Sequence, residues 1–294
     1  MKKSMSLSLV VLMVFSLSIG AYSTASAEGF VWKVRKDKSV VYLGGTIHML
    51  RGSDYPLPTE YDKAYEDSEI LVFETDMDEL QSPDTQVRIM SEAMLPDGQG
   101  LDDLLSESTY EALSAYCDGA GMPLAMLNQL KPSIVMISLL SLELQKQGIG
   151  QEGVDIHYHG RAVADGRELG GLESVDDQIG YLISMGEGYE DEFILHSIED
   201  MKEAGEQVEE LIETWRKGDA EAMAELMLDD VKEKYPDIYR DLFKGRNDKW
   251  LPEIEKLFIT PEKEFVLVGS AHLVGDDGII KALRDRGYKV EKVR

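Results

Sequence analysis

Two short segments near opposite ends of the sequence share one pattern, an apolar run that breaks at a glycine and is followed three residues later by a histidine. The first covers residues 40–48 and ends at His48, and the second covers residues 265–272 and ends at His272. Buried parallel strands read as apolar runs, and ligands bind beyond the carboxyl ends of such strands. If the two strands are adjacent, they direct both imidazoles into one crevice.

Glutamates follow two other strand candidates in the same way. Residues 70–73 lead directly to Glu74, and residues 167–172 lead to Glu173. Two neutral imidazoles and one or two carboxylates suit a divalent metal such as zinc, manganese or cobalt, which generates hydroxide for hydrolysis. The same groups also suit a metal-free reaction, in which a histidine is the general base and a carboxylate orients it.

Other polar residues are weaker candidates. Arg246 interrupts a run of acidic helices, and a guanidinium in a crevice can stabilise an oxyanion, but its spacing alone favours a surface arginine beside Asp248. His157 and His159 are two residues apart, so on a helix they point to different faces, and we expect them at the surface or in caps. Asp155, just before them, looks like the cap of their helix.

The charge of the chain excludes some partners. Its 294 residues include 56 Asp and Glu against 30 Lys and Arg, for a formal net charge of −26. Such a charge argues against nucleic-acid binding and against electrostatic docking on anionic membranes. We therefore expect a peptide or small-molecule substrate. With Cys117 as the single cysteine, no intrachain disulfide can form, and we expect this thiol to be a buried apolar residue.

The first 27 residues have the composition of a secretory signal peptide. Lys2 and Lys3 precede an apolar stretch over residues 7–21, and Ala25-Ser26-Ala27 forms a small-residue cleavage site. We expect cleavage to leave a mature chain from Glu28 that is exported to the periplasm or the medium and is not stably associated with the membrane. An uncleaved membrane anchor is the alternative.

The distribution of elements predicts an α/β (α+β) fold in a single domain over residues 28–294. The N- and C-terminal segments supply a central mixed sheet, and a large helical insertion over about residues 83–258 covers it, as a lid over the crevice would. The predicted strands cover residues 32–35, 39–44, 70–73, 167–172, 264–268 and 289–293. The most apolar helix covers residues 133–147, and Gly245 is expected to break a later helix.

Several short motifs in a fixed order carry a resemblance to a known family. They are Gly45-Thr46-Ile47-His48, Leu71-Val72-Phe73-Glu74, Gly153-Val154-Asp155, Gly171-Leu172-Glu173-Ser174, Trp215 with Gly218-Asp219, Arg246-Asn247 with Trp250, and residues 268–275. With these motifs the chain resembles the TraB/PrgY/GumN family, which includes the TIKI proteins of animals, over nearly the whole predicted mature chain. The arrangement is most similar to the bacterial GumN-like branch.

The resemblance implies a fold related to the erythromycin-esterase and ChaN-like group. Because the TIKI branch is associated with metal-dependent proteolysis, the resemblance implies His48, Glu74 and His272 as ligands of Mn, Co or Zn. It also makes Arg246 a site residue. In our main hypothesis Glu173 is a further ligand or the base that activates water, and Arg246 steadies the developing oxyanion. Other branches are linked to a peptide pheromone, to a polysaccharide cluster or to haem iron, so the resemblance fixes the site better than the reaction.

The main hypothesis from the sequence is therefore an exported metal-dependent hydrolase that cleaves a peptide bond. Two alternatives stay open. The first is a metal-independent esterase or amidase with a histidine base. The second is a binding protein that sequesters a peptide or haem without turnover.

Overall fold

The computed structural model describes residues 29–150, 152–202 and 204–294. The predicted signal peptide and its cleavage site before Glu28 lie outside these residues. A six-stranded mixed sheet is the centre of the fold, as the sequence predicted. Its strands are β1 (Val31–Lys36), β2 (Ser39–Thr46), β3 (Ile70–Thr75), β4 (Glu168–Glu173), β5 (Glu264–Gly269) and β6 (Lys289–Lys292), in the spatial order β4-β3-β5-β2-β1-β6.

The four strands at one side of the sheet are parallel, and β5 is their most buried member. All six residues of β5 are buried, which explains why this strand reads as a continuous apolar run with a single glutamate at its start. It pairs with β2 on one side and with β3 on the other. In the β2–β5 register Thr46 lies opposite Gly269, so both Gly-x-x-His segments leave the sheet at neighbouring carboxyl ends.

Helices make up most of the remaining chain. They are α1 (Thr59–Asp67), α2 (Met77–Leu80), α3 (Pro83–Glu92), α4 (Leu101–Leu104), α5 (Glu107–Ala120), α6 (Pro132–Lys146), α7 (Val154–Asp165), α8 (Val175–Ser184), α9 (Glu190–Met201), α10 (Ala204–Lys217), α11 (Ala220–Ala224), α12 (Asp230–Lys234), α13 (Pro236–Tyr239), α14 (Gly245–Lys256), α15 (Ser270–Leu273) and α16 (Ile279–Asp285). The helical middle expected over about residues 83–258 is thus present, with β4 inside it. Across the ranges given above, no helix is long and apolar enough to cross a bilayer.

Two π-helical turns interrupt the last helices of this middle segment. Residues Glu225–Asp229 follow α11, and residues Arg240–Lys244 run directly into α14. The expected break at Gly245 is therefore wrong, because the helical backbone continues through it in right-handed geometry, with φ of −64°. π-helical turns are frequent at functional sites. Here Leu242 and Phe243 of the second turn line the cavity described below.

A close backbone contact fixes the start of α7 against the end of β2. The N-cap of α7 is Gly153, not Asp155 as the sequence suggested, and a β-carbon on Gly153 would lie only 2.2 Å from the carbonyl carbon of His48. The amide of Val154 also donates to the Ile47 carbonyl at 3.0 Å. Glycine at position 153 is thus required for α7 to approach His48, and the approach leaves Asp155 in the first turn beside the imidazole.

This contact gives a test with a matched control on the same helix. We expect Gly153→Ala to lower the free energy of unfolding by about 1–3 kcal/mol, because the new methyl group collides with backbone that cannot move aside freely. Gly160→Ala should instead raise it by about 0.5–1 kcal/mol, because a β-carbon there meets nothing within 4 Å and alanine favours helix. Urea unfolding measures both values, and equal stability of the two variants would contradict the contact.

Candidate active site

The residues predicted from the strand ends surround one point above the carboxyl end of β5. A β-carbon built on Gly269 would lie 3.2 Å from Glu74 Oε1, 3.5 Å from His272 Cδ2 and 3.7 Å from His48 Nε2. Glu74 reaches this point from inside β3, and its Oε1 accepts a hydrogen bond from the Gly269 amide at 2.7 Å. The missing side chain of Gly269 therefore leaves a small cradle between the two histidines and the glutamate.

His48 is held by a carboxylate that the sequence reasoning assigned to a helix cap. Its Nδ1 lies 3.1 Å from Asp155 Oδ1, and because a carboxylate only accepts, Nδ1 carries the hydrogen and Nε2 is directed towards the cradle. Desolvation disfavours the charged imidazole, but Asp155, by its charge and its hydrogen bond, together with Glu74, raises the pKa of His48 to about 9. His48 is the most exposed of the converging residues, with 47% of its side chain accessible.

His272 has the opposite character. It is buried in α15, and its Nδ1 donates to Asn247 Oδ1 at 2.8 Å, while the amide nitrogen of Asn247 is held by two backbone carbonyls. Burial, followed by the positive charge of Arg246, lowers the pKa of His272 to about 3. The ring is therefore neutral, with a bare Nε2 that accepts a hydrogen bond from Arg246 Nη1 at 3.2 Å.

Arg246 joins the strand ends to α14. Its Nη2 donates to Glu74 Oε2 at 2.7 Å and to Glu173 Oε1 at 2.6 Å, and only 9% of its side chain is exposed. The guanidinium also lies 4.5 Å from the ring centroid of Trp250, one helical turn further on. Burial disfavours the charge of Glu74, but Arg246 outweighs it and holds the pKa of that carboxyl well below its usual range. Arg246 is thus a buried cation between two carboxylates.

The expectation from spacing that Arg246 is a surface residue is therefore wrong. Helical periodicity was the signal available to find it. Leu242 and Trp250 lie four residues before and after Arg246, so Arg246 lies on the apolar face of its helix, while Asp248 lies on the exposed face. The resemblance to the family had already raised Arg246 to a site residue.

Glu173 lies behind Arg246 rather than at the cradle. Both of its oxygens accept hydrogen bonds from Arg246, and Oε2 also accepts one from Trp250 Nε1 at 2.9 Å. Burial raises the pKa of Glu173, and nearby Glu74 adds to this effect. In this position Glu173 anchors the guanidinium. A role as a metal ligand or as the base stays a prediction.

The cradle lies in a cavity of about 820 Å³ with mostly apolar walls. Its polar lining includes Arg246, Glu74, both histidines and Thr46, whose fully buried Oγ1 makes no hydrogen bond within the described part of the chain. The other polar lining residues are Thr75, Gln81, Gln86, Asp155, Gln178 and Tyr181. The apolar wall is formed by Met49, Phe73, Met77, Leu80, Ile156, Leu182, Met227, Leu242 and Phe243. Ligand pockets of 300–1,000 Å³ typically combine such walls with a few convergent polar groups.

The remaining candidates from the sequence lie elsewhere. His157 is exposed, as expected, but His159 is buried and its Nε2 lies 2.9 Å from Asp78 Oδ1, so its prediction as a surface or capping residue is wrong. Cys117 is buried in α5, and burial raises the pKa of its thiol to about 11. Its prediction as a buried apolar residue is confirmed.

The fold and the site define an α/β protein with a buried arginine–carboxylate–histidine centre at the carboxyl ends of parallel strands. The chain belongs to the TraB/PrgY/gumN family, whose family model matches residues 30–292. No solved structure gives a significant match. The predicted relation to the erythromycin-esterase and ChaN-like fold therefore stays a prediction.

Three curated relatives are similar to the chain at low identity. Metalloprotease TIKI1 of Danio rerio is 25% identical over 90% of this chain and 63% of its own length. Metalloprotease TIKI2 of Xenopus tropicalis is 24% identical over 92% of this chain and 60% of its own. Metalloprotease TIKI2 of Danio rerio is 23% identical over 92% and 62%. The chain thus spans about three fifths of the length of these relatives.

The names of these relatives imply a metal, which His48, Glu74 and His272 would have to bind. Among the described residues, no group of three or more His, Cys, Asp or Glu side chains could hold an ion. The candidate ligand atoms are also engaged, because His272 directs its Nε2 to Arg246, and both oxygens of Glu74 accept hydrogen bonds from Gly269, Arg246 and Gln178. As the side chains lie, the predicted ligand set does not fit a metal ion.

The His48–Asp155 pair gives a direct electrostatic test. We expect Asp155→Asn to lower the pKa of His48 by about one unit or more, because the substitution removes the opposite charge that favours the imidazolium. NMR titration of the histidine ring protons measures this pKa, and the other histidines serve as internal references. A pKa of His48 that stays near 9 in the variant would show that Asp155 is not its cause.

Proposed function

We propose that this protein is a hydrolase that cleaves a peptide bond in an apolar substrate. The observation that carries the proposal is the Gly269 cradle, at which His48 Nε2, Glu74 Oε1 and the His272 ring approach one point inside a cavity of about 820 Å³. A scissile carbonyl group in the cradle would have His48 beside it for proton transfer and Arg246, a cation in the wall of the same cavity, to stabilise negative charge. General acid–base catalysis and electrostatic stabilisation of this kind both accelerate acyl transfer.

His48 is the residue proposed for proton transfer. Asp155 fixes the tautomer that directs Nε2 into the cavity, and about half of the His48 side chain is exposed. The neutral form of His48, which grows as the pH approaches its raised pKa of about 9, takes a proton from the attacking water. The imidazolium formed in that step then gives the same proton to the leaving nitrogen.

Arg246 is proposed to stabilise the negative charge that develops on the carbonyl oxygen. Glu74 and Glu173 hold the guanidinium so firmly that it needs little reorganisation when the charge appears, which is the property that makes such groups effective. His272 is neutral and accepts from Arg246, so it supports the orientation of the guanidinium.

A metal-dependent form of this hydrolysis is the second candidate. The names of the curated relatives as metalloproteases favour it, and Mn, Co or Zn on His48, Glu74 and His272 was the expectation from the sequence. The engagement of Glu74 and His272 by Arg246 argues against it, so no step of the proposed reaction depends on a metal. Because the relatives are longer than this chain, their activity is a hypothesis for this protein.

Export is part of the proposal and rests on the sequence of residues 1–27 alone. We expect the protein isolated from the periplasm or the medium of its source cells to begin at Glu28. N-terminal sequencing of the exported chain measures this start directly, and a full-length chain retained with the cells would contradict it.

The function is tested by incubating the protein with a library of apolar peptides and reading new termini by mass spectrometry. We expect new termini in the presence of the wild type and their loss in His48→Ala/His272→Ala, with circular dichroism to verify that the variant is folded. Termini that persist in the double variant would contradict the assignment of the site. Saturable binding without new termini would instead identify a binding protein.

A glycine pair tests the cradle itself. Gly269→Ala should fold, because φ at this position is −49° and its nearest contact would be 3.2 Å, but it should lower kcat/KM by about 100-fold by filling the cradle. Gly170→Ala on β4 is the control, since its β-carbon meets only Val72 at 3.7 Å. Equal activity of the two variants would mean that substrate does not enter the cradle.

A further inference from the structure

We infer that the Arg246 guanidinium is the resident cation of this site and excludes a divalent metal ion from it. The inference does not depend on the proposed hydrolysis, because it concerns only which cation Glu74 and His272 bind. It rests on the positions of three atoms that could bind a metal, which are His272 Nε2 and the two carboxylate oxygens of Glu74, and on the contacts that hold Arg246 in place.

The first step concerns the lone pair of His272. Asn247 fixes the hydrogen on Nδ1, so Nε2 is the one ring nitrogen left to bind a cation, and it lies 3.2 Å from Arg246 Nη1. Zinc binds imidazole nitrogen at about 2.0–2.1 Å. An ion on this lone pair would overlap Nη1, so metal and guanidinium cannot occupy the position together.

The second step concerns Glu74. Its Oε2 accepts from Arg246 Nη2 at 2.7 Å and from Gln178 Nε2 at 3.1 Å, and its Oε1 accepts from the Gly269 amide. A metal ligand bond at Oε2 would require Arg246 to give up this hydrogen bond. Two of the three residues predicted to bind a metal are thus already engaged by one guanidinium.

The third step is that Arg246 is anchored well beyond these two residues. Glu173 accepts from both Nε and Nη2, the Trp250 ring lies against the guanidinium, and Trp250 Nε1 in turn holds Glu173. A planar fork that binds a carboxylate by two nitrogens is a feature of arginine that lysine cannot reproduce. These contacts fix the Arg246 side chain in place, so we expect it to stay bound to both carboxylates when a metal ion is present.

The test compares metal binding by the wild type, Arg246→Met and Lys249→Met after removal of metals with a chelator. Lys249 is the matched control, because it is a cation on the same helix whose side chain is 60% exposed. Calorimetric titration with zinc, manganese and cobalt chlorides and elemental analysis of the dialysed proteins are the readouts. Neither needs a substrate.

We expect the wild type and Lys249→Met to bind these ions only as weakly as scattered surface carboxylates do. Arg246→Met should gain one site per chain, with affinity increased by about 100-fold, the upper range over which groups around metal ligands alter affinity. The gain should vanish in Arg246→Met/His272→Ala. A wild type that holds one ion per chain, with affinity that Arg246→Met lowers or leaves unchanged, would overturn the inference.

Loss of a buried cation can prevent folding, because it leaves two carboxylates without a partner. Arg246→Met/Glu173→Gln removes one of these charges and keeps Glu74 and both histidines, so it serves as the second variant and should gain the same metal site. Thermal unfolding with and without zinc adds a separate readout. We expect zinc to raise the Tm of the Arg246 variants and not that of the wild type, and a rise in the wild type as large as that in the variants would contradict the inference.

Discussion

The bridge that Arg246 forms between Glu74 and Glu173 is the interaction on which the arrangement of the site depends. It links the carboxyl ends of β3 and β4 to α14, and through His272 it reaches the segment after β5. Removing one member of a buried ion pair costs about 3–5 kcal/mol, because the other charge stays buried without compensation. Because one guanidinium bonds to three side chains from different segments, it holds α14 over the strand ends.

The register of the parallel strands makes this bridge possible. Gly269 lies opposite Thr46, and Val266 in β5 pairs with Val72 in β3, so the ends of three strands are level at the same edge. Side chains after β2 and β5 and near the end of β3 then meet without any long loop. Gly153 completes the site from the other side, since only a residue without a β-carbon lets α7 bring Asp155 to His48.

Sequence reasoning found the parts of the site that belong to strands. The apolar runs ending at Gly-x-x-His were sufficient to predict β2, β5 and the convergence of the two histidines, because a strand buried on both faces is apolar at nearly every position. The same reasoning gave the fold class and the helical middle. It also drew attention to Glu74 and Glu173, because each glutamate ends an apolar strand.

What the sequence did not yield depends on contacts between distant segments. From the sequence, Asp155 is interpreted as a helix cap. It lies 107 residues from His48 along the chain, and no local pattern indicates that Gly153 lets the two residues meet. Arg246 reads as a surface charge when judged by its neighbour Asp248, although the spacing of Leu242 and Trp250 carried the opposite indication. His48, Glu74 and His272 do lie together, but no local pattern indicates that Arg246 forms hydrogen bonds with two of them.

The cation that binds Glu74 and His272 in this site is the guanidinium of Arg246 and not a divalent metal ion. Crystals of the wild-type protein grown with zinc, manganese or cobalt, and measured at the absorption edge of each metal, test it most directly. We expect the refined structure to place Arg246 within hydrogen-bond distance of Glu74 and Glu173, with no anomalous peak near the Nε2 atoms of the two histidines. An anomalous peak at about 2.0–2.2 Å from His48 Nε2 and His272 Nε2, with Arg246 turned away from Glu74, would contradict it.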